Sequence, residues 1–272
     1  MPRFLIIAMS AICCICASCS NSPTEFTHIE TKQEISFQNT SISAKISGQY
    51  PAKGNPKLLN ATRLWIAECM SNDAMTAELL PRISPQLLTN GKELALLTAS
   101  SFIQDSKNLI EKDYLDHEYI PAPSLIISFE PIYSSNKLLT YQLSKFWYQE
   151  GAHGISPLFE QTFDVKTGQK LTFSDFFITG ERNEIIALIR QNLWQQYFAK
   201  HFPNDTLNDV LLVAPDEFDI PCTPPTIVAN GIKFTYQQYE IAPYAAGHPC
   251  CIIPLSDLRP YLRPEILPLL QM

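Results

Sequence analysis

Between Ile29 and Ile46 apolar and polar residues alternate in two runs, Ile29–Phe37 and Ile42–Ile46, broken at Gln38-Asn39-Thr40. That is the pattern of two half-buried strands. A loop follows from Tyr50-Pro51 to Asn55-Pro56. Leu58, Leu59, Thr62, Trp65, Ile66 and Cys69 then recur at helical spacing and predict a helix over about 56–71. A second helix is predicted over about 85–113, bounded at its start by Pro81 and Pro85, with Leu96, Ala99, Ile103 and Ile110 on its inward face.

The period then changes to two. Leu125, Ile127 and Phe129 alternate, Ser134-Ser135-Asn136-Lys137 turns the chain, and Leu138 to Tyr148 predicts a long antiparallel partner. Phe159–Val165 and Lys170–Phe173 flank a hairpin turn at Lys166-Thr167-Gly168-Gln169. Ile185, Ile189, Leu193 and Tyr197, each four apart, mark a helix over about 181–201. Thr226–Val228 and Ile232–Tyr236 flank Ala229-Asn230-Gly231, a tight-turn signal, and Cys250–Ile253 is the last strand. Strands, helices, strands, helix and strands in that order predict an α+β fold of antiparallel sheets with helices packed on one side. Pro121 and Pro123 mark a boundary between two closely packed lobes, 27–120 and 121–272.

The first residues carry a different message. Arg3 is the only charge before Glu25, and Phe4–Ile15 is almost wholly apolar. This is the layout of a secretory signal, too short to span a bilayer as a permanent helix. Cys16-Ala17-Ser18-Cys19 resembles a bacterial lipobox, with Cys16 where leucine is usual, so residues 1–18 are expected to be removed and Cys19 to carry lipid. Residues 19–26 then form a tether. An ordinary signal cleaved after Ser18 is the alternative. The expected place is the cell envelope, lipid-anchored, on the periplasmic side or the outer surface.

Without residues 1–18 the chain has 19 basic against 27 acidic residues, a net charge of about −8. That balance argues against nucleic acid and against charge-driven adhesion to anionic lipid. The cysteines that remain beside Cys19, namely Cys69, Cys222, Cys250 and Cys251, could form one or two disulfides in an oxidising compartment; Cys222 with one of the adjacent pair is expected, and Cys222 with Cys250 is the candidate pairing. No cysteine and histidine spacing suits a metal, and no cofactor is expected.

Familiar enzyme signatures are missing from the sequence: no phosphate-cradling glycine loop, no Gly-x-Ser-x-Gly and no His-Glu-x-x-His. Two clusters remain. His153 sits in Tyr148-Gln149-Glu150-Gly151-Ala152-His153-Gly154, where it could brace a turn, touch a ligand or pair with Glu150 as a catalytic base. Tyr236, Tyr239 and Tyr244 crowd a segment with Glu240, Pro243 and Gly247. Tyrosines there could form a recognition surface, since they give contact area at small entropic cost, or tie the loop to its own sheet.

These same segments carry a resemblance. Tyr148–Gly154, the run Thr162–Gly168 continued by Leu171-Thr172-Phe173-Ser174-Asp175-Phe176-Phe177, Tyr239–Gly247 and Ile253–Leu258 together resemble the extracellular domain of RsiV-type anti-sigma factors, found also beside the deacetylase module of PdaC-type enzymes. The resemblance covers about 120–262, and Tyr50-Pro51 with Leu58–Met70 is similar to the companion region that precedes it. Gln149-Glu150 before Gly151, and His248 with Cys250-Cys251 after Gly247, depart from the pattern. The resemblance implies an α+β ectodomain and, from RsiV-type proteins, binding of lysozyme. Neither a sigma-binding segment nor a deacetylase module is recognisable here, so those activities are not carried over.

The expectation is therefore a non-catalytic envelope binding lipoprotein for a lysozyme-like muramidase or a cell-wall glycan. Tyr148, Glu150, His153, Tyr239, Glu240 and Tyr244 are its candidate contacts. A hydrolase of peptidoglycan or glycan acting through His153 and a carboxylate is the first alternative, and a purely structural lipoprotein the second.

Overall fold

The computed structural model describes residues 23–71, 83–114 and 117–270, so the expected signal sequence, residues 1–18, and Cys19 lie outside the described residues. Strands β1 (Glu25–Phe37) and β2 (Thr40–Lys53) form a hairpin. Its two-residue turn holds Gln38 and Asn39 at φ 47 and 62, the left-handed pair whose twist matches that of the strands it joins. Ile42, Ala44 and Ile46 of β2 are fully buried while Ser41 and Lys45 between and beside them face out.

Two helices follow. In α1 (Pro56–Met70) proline occupies the first turn, where its missing N–H is no loss, and Asn55 caps the end by accepting the Lys57 N–H at 2.9 Å. In α2 (Gly91–Asp113) Asn90 caps through the Glu93 N–H. The stripe of α2 differs from the predicted one. Only Leu96 departs, at 39 % exposed; Ala99, Ile103 and Ile110 are buried as predicted, and Gly91, Leu94, Ala95, Thr98, Phe102 and Ser106 complete the inward face, whose small members let the helix lie close to β1 and β2.

The chain re-enters the sheet as β3 (Ser124–Ser134), then β4 (Leu138–Tyr148) and β5 (Leu158–Asp164). The five strands stand in sequence order, and one pairing departs from the all-antiparallel expectation: β2 and β3 run parallel, Ser43 opposite Ser124 and Ile46 opposite Ile127. A parallel neighbour needs a long crossover, which the stretch holding α1 and α2 supplies. One hydrophobic cluster unites these helices with β1–β5, centred on Trp65, Tyr141 and Phe163, whose rings meet edge to face.

The rest of the chain builds a second cluster. A single turn α3 (Phe173–Phe176), α4 (Arg182–Leu193) with a π-helical continuation Trp194–Phe198, and a three-stranded sheet β6 (Thr226–Val228), β7 (Gly231–Thr235) and β8 (Cys250–Ile253) enclose it. The β6–β7 turn is shifted from the predicted one: Val228 pairs with Gly231, so Ala229-Asn230 is the turn and Gly231 already belongs to β7. The two clusters meet at β4 and β5, beyond the Pro121–Pro123 stretch, because β3 runs directly from those prolines into the sheet of β2.

What joins them is a row of polar residues on the outer face of β4 and β5. The Thr140 hydroxyl donates to the Ile227 carbonyl at 2.7 Å, the Ile227 N–H donates to Thr162 Oγ1 at 2.9 Å, and the two hydroxyls bond each other at 2.9 Å. Two threonines thus satisfy both backbone groups of a buried β6 residue. Next to them Glu160, with a fully buried carboxylate, accepts from Lys233 Nζ at 2.7 Å and from the Thr235 hydroxyl at 2.6 Å. No helix among the described residues is long and apolar enough to cross a membrane.

Candidate functional site

The loop between β4 and β5 is pinched at its base by mutual backbone bonds of Trp147 and Ile155, at 2.9 and 2.8 Å. Within it Tyr148 donates to the Gly151 carbonyl, and Gly151 sits at φ 89, a conformation that glycine adopts without strain. Gly154 is required by space: a Cβ there would lie 2.4 Å from the Phe146 ring and 2.9 Å from the Trp147 carbonyl. The loop therefore folds down over the outer face of β4, and His153 stands out from it.

Facing His153 is the 237–247 segment that leads from β7 to β8. Gln237 pins its start by pairing its side-chain amide with the backbone of Leu158, accepting the N–H at 3.1 Å and donating to the carbonyl at 2.6 Å. Glu240 closes the turn by accepting the Gln237 N–H at 2.7 Å and the Cys222 N–H at 2.6 Å. Tyr239 is held at φ 66, rare for a tyrosine, and is 57 % exposed. Pro243 leads into a 3-10 turn, Tyr244–Ala246, fixed from behind by the Tyr197 hydroxyl on the Ala246 carbonyl.

These two segments bring three rings together. His153 stacks on Tyr244 with centroids 4.1 Å apart and planes inclined by 26°. Tyr239 lies 5.8 Å from Tyr244 and 6.4 Å from His153. The Gly154 carbonyl lies 2.9 Å from both the Tyr244 hydroxyl and His153 Nδ1, and Tyr239 Oη is 3.3 Å from His153 Nε2. With Nδ1 donating and Nε2 accepting, one neutral tautomer of the imidazole serves both bonds.

Tyr148 and Glu150, earlier on the same loop, are turned toward the end of α2 and the residues after it. Glu150 is exposed and accepts a 2.5 Å bond from the Tyr114 hydroxyl, which pushes the Tyr114 phenol up to about 12. Tyr148 is likewise raised, chiefly by the neighbouring Tyr119 phenol. Of the six predicted contacts, His153, Tyr239 and Tyr244 thus meet directly, and Tyr148 and Glu150 lie on the same loop as His153. Glu240 does not join them, because its carboxylate oxygens are taken up by backbone N–H groups, one of its own loop at Gln237 and one of the loop before β6 at Cys222. The catalytic pairing of His153 with Glu150 is not formed either: the imidazole faces Gly154 and Tyr239, and the carboxylate faces Tyr114. Tyr114, Tyr119 and Gln237 were not singled out in the sequence, since nothing local to them marks the contact that the fold makes.

The Cys222–Cys250 disulfide is not formed, and all four described cysteines are free. The two thiols have different neighbours. Cys222 is exposed beside Glu240, whose charge raises its pKa, whereas Cys250 lies near Lys233 and Glu160 and is raised by burial. Cys251 faces the other way, as adjacent strand residues do, and burial pushes it up to about 12. His248, beside the same Glu160 and Lys233, is held below its ordinary value by burial. No group of three or more His, Cys, Asp or Glu among the described residues is placed to hold a metal.

Behind the Tyr244 turn runs an open groove of about 980 Å³, walled by Pro243, Ala245 and Ala246 on one side and by Tyr197, Phe198 and Phe202 on the other. The π turn sets the register of Tyr197 and Phe198, and such turns are frequent at functional sites.

Comparison with known proteins finds similarity in part of the chain that includes the 237–247 segment. Residues 174–256 match a family described as a protein of unknown function, DUF3298. Among solved structures, a DUF3298 family member from Bacteroides fragilis aligns with a TM-score of 0.68 at 19 % identity, over 90 % of this chain and 95 % of its own. A DUF3298 family protein from Pseudomonas aeruginosa aligns with a TM-score of 0.58 at 14 % identity, over 90 % of this chain and 97 % of its own. At these identities the likeness establishes the fold, an α+β arrangement that spans nearly all of each partner. No curated protein matches the chain.

Proposed function

We propose that this protein is a non-catalytic binding protein of the bacterial envelope, anchored through Cys19. Its 148–155 and 237–246 surface would recognise a cationic wall-degrading protein of the lysozyme type. The observation that carries the reading is the cluster of exposed His153 and Tyr239 with half-buried Tyr244, with Tyr148 and Glu150 on the same loop as His153. Aromatic residues whose polar atoms are already tied down give a rigid contact patch, the kind that dominates protein interfaces. The acidic balance of the chain and the exposed Glu150 suit a basic partner. The resemblance to RsiV-type ectodomains supplies the partner class, and the DUF3298 match fits it at the level of the domain.

A cell-wall glycan is the second reading, and the open aromatic-walled groove beside Tyr244 is what favours it. Hydrolysis has less support, because the acid and base it needs are turned away from each other. Titration of the soluble chain with a c-type lysozyme, in a calorimeter at low and at physiological salt, tests the first reading. Saturable one-to-one binding is expected. Absence of heat at both salts, together with retention on a chitin-oligosaccharide column, would replace it with the second.

A further inference from the structure

We propose that the His153–Tyr239–Tyr244 ring cluster is the seat of one arginine side chain of the bound partner, stacked on these rings as a cation–π contact. This rests on the protein-binding reading above and names the chemistry of its anchor.

Four observations lead there. His153 and Tyr244 are stacked, and Tyr239, 57 % exposed, is inclined to them by 36° and 40°, so a planar group that extends the stack meets a ring face. Ring faces carry the negative part of the aromatic quadrupole, and a cation within about 6 Å of a centroid is attracted to it. The polar edges are already engaged: the Tyr244 hydroxyl and His153 Nδ1 at the Gly154 carbonyl, the Tyr239 hydroxyl at His153 Nε2. What the cluster offers a ligand is therefore π surface. Third, the rings are fixed before binding. Tyr239 stays in a left-handed conformation that a tyrosine adopts only at an energetic cost, and strain of this kind clusters where a fold holds a side chain ready. Fourth, the field is right for a cation, with 27 acidic residues against 20 basic in the chain and Glu150 exposed on the same loop as His153.

Arginine fits better than lysine. Its planar guanidinium stacks flat on such a face and is weakly hydrated, so it loses little on leaving water, whereas an ammonium is compact and strongly hydrated. A stacked guanidinium also keeps its N–H edge free to reach a carboxylate such as Glu150.

The test uses the folded chain with its tyrosine rings isotopically labelled, titrated by NMR with N-acetyl-argininamide. Its neutral isostere N-acetyl-citrullinamide, N-acetyl-lysinamide and chitotetraose serve as separate arms. Saturable shifts confined to Tyr239 and Tyr244, weaker with the lysine compound and absent with the citrulline compound, are expected. Tyr239→Phe keeps the ring and should keep the response; Tyr239→Leu keeps apolar area without the π face and should abolish it. Tyr239 is exposed, so neither change threatens folding, and an unchanged melting temperature confirms that. In the lysozyme titration Tyr239→Leu should weaken binding about 3- to 30-fold while Tyr239→Phe stays near wild type. Equal shifts from the citrulline compound, shifts scattered over the acidic surface, or a response to chitotetraose alone would overturn the assignment. Lysozyme binding that Tyr239→Leu leaves untouched would overturn it and leave the protein-binding reading standing. An arginine response with no lysozyme binding would do the reverse.

Discussion

Glu160 offers the sharpest test of how the two halves are held together. Its carboxylate has no exposed surface and bonds Lys233 Nζ at 2.7 Å and the Thr235 hydroxyl at 2.6 Å, while Lys233 keeps 16 % of its side chain exposed. Removing one member of a buried pair costs about 3–5 kcal/mol, because the other is left as an uncompensated charge. In Glu160→Ala the stranded Lys233 can swing toward solvent, which favours the lower end. The Thr235 hydroxyl, 1 % exposed as a residue, loses its acceptor and adds about 1 kcal/mol. The expected loss is therefore about 4 kcal/mol, or roughly 8–16 °C in melting temperature at ~2–4 °C per kcal/mol for a chain of this size. Lys233→Met should be at least as harmful, since the carboxylate it strands has no route to water. The double replacement Glu160→Leu with Lys233→Met removes both charges together and should recover most of the loss, leaving a deficit of about 1–2 kcal/mol. Guanidinium unfolding followed by far-ultraviolet circular dichroism measures all three. Single losses below about 1 kcal/mol, or a double variant as unstable as the sum of the singles, would refute the claim that a buried, coupled pair joins the halves.

Other expectations follow from the same geometry. Thr162→Val strands the buried Ile227 N–H, while Thr140 keeps its bond to the Ile227 carbonyl, and should lower stability by about 1–3 kcal/mol in the same unfolding assay, with Thr162→Ser close to wild type. Gly168, at φ 75 with a would-be Cβ 2.6 Å from the Lys57 carbonyl, should tolerate no alanine: a loss of at least ~1 kcal/mol is expected by calorimetric melting. Burial holds His248 below its ordinary value of 6.5, so the fold favours the neutral ring; the stability this gives is present above pH 6.5 and falls as pH drops through the lowered value. A profile of unfolding free energy between pH 8 and 5 should decline on the acid side, and His248→Gln should flatten that part; an unchanged slope would remove the assignment.

Much of the architecture was legible in the alternation of apolar residues because strands β3, β4 and β5 and helix α1 each bury one face against a single core. The parallel pairing of β2 with β3 was not. Period-two patterning reports which face is buried and says nothing of the direction of the neighbour. Leu96 misled for a related reason: apolarity suggested an inward position, but close approach of α2 to the sheet favoured Ala95 and Ala99 there. At the candidate site, composition drew attention to His153, Tyr239 and Tyr244, and the fold stacks them. Glu240 looked equally available. Its backbone bonds are set by the tight turn around Tyr239, a conformation that no residue type in the segment announces. Glu160 carried a faint signal, a charge inside a strand, whose partner Lys233 lies seventy-three positions away.

The account turns on whether the surface of the 148–155 and 237–246 segments binds a cationic partner, and a single calorimetric comparison addresses it most directly. The soluble chain and its Glu150→Lys variant are titrated with a c-type lysozyme at low and physiological salt. One-to-one binding that weakens with salt, and weakens at least several-fold more in the variant, is the predicted result. Equal affinity of the two proteins, or no binding by either, would contradict it.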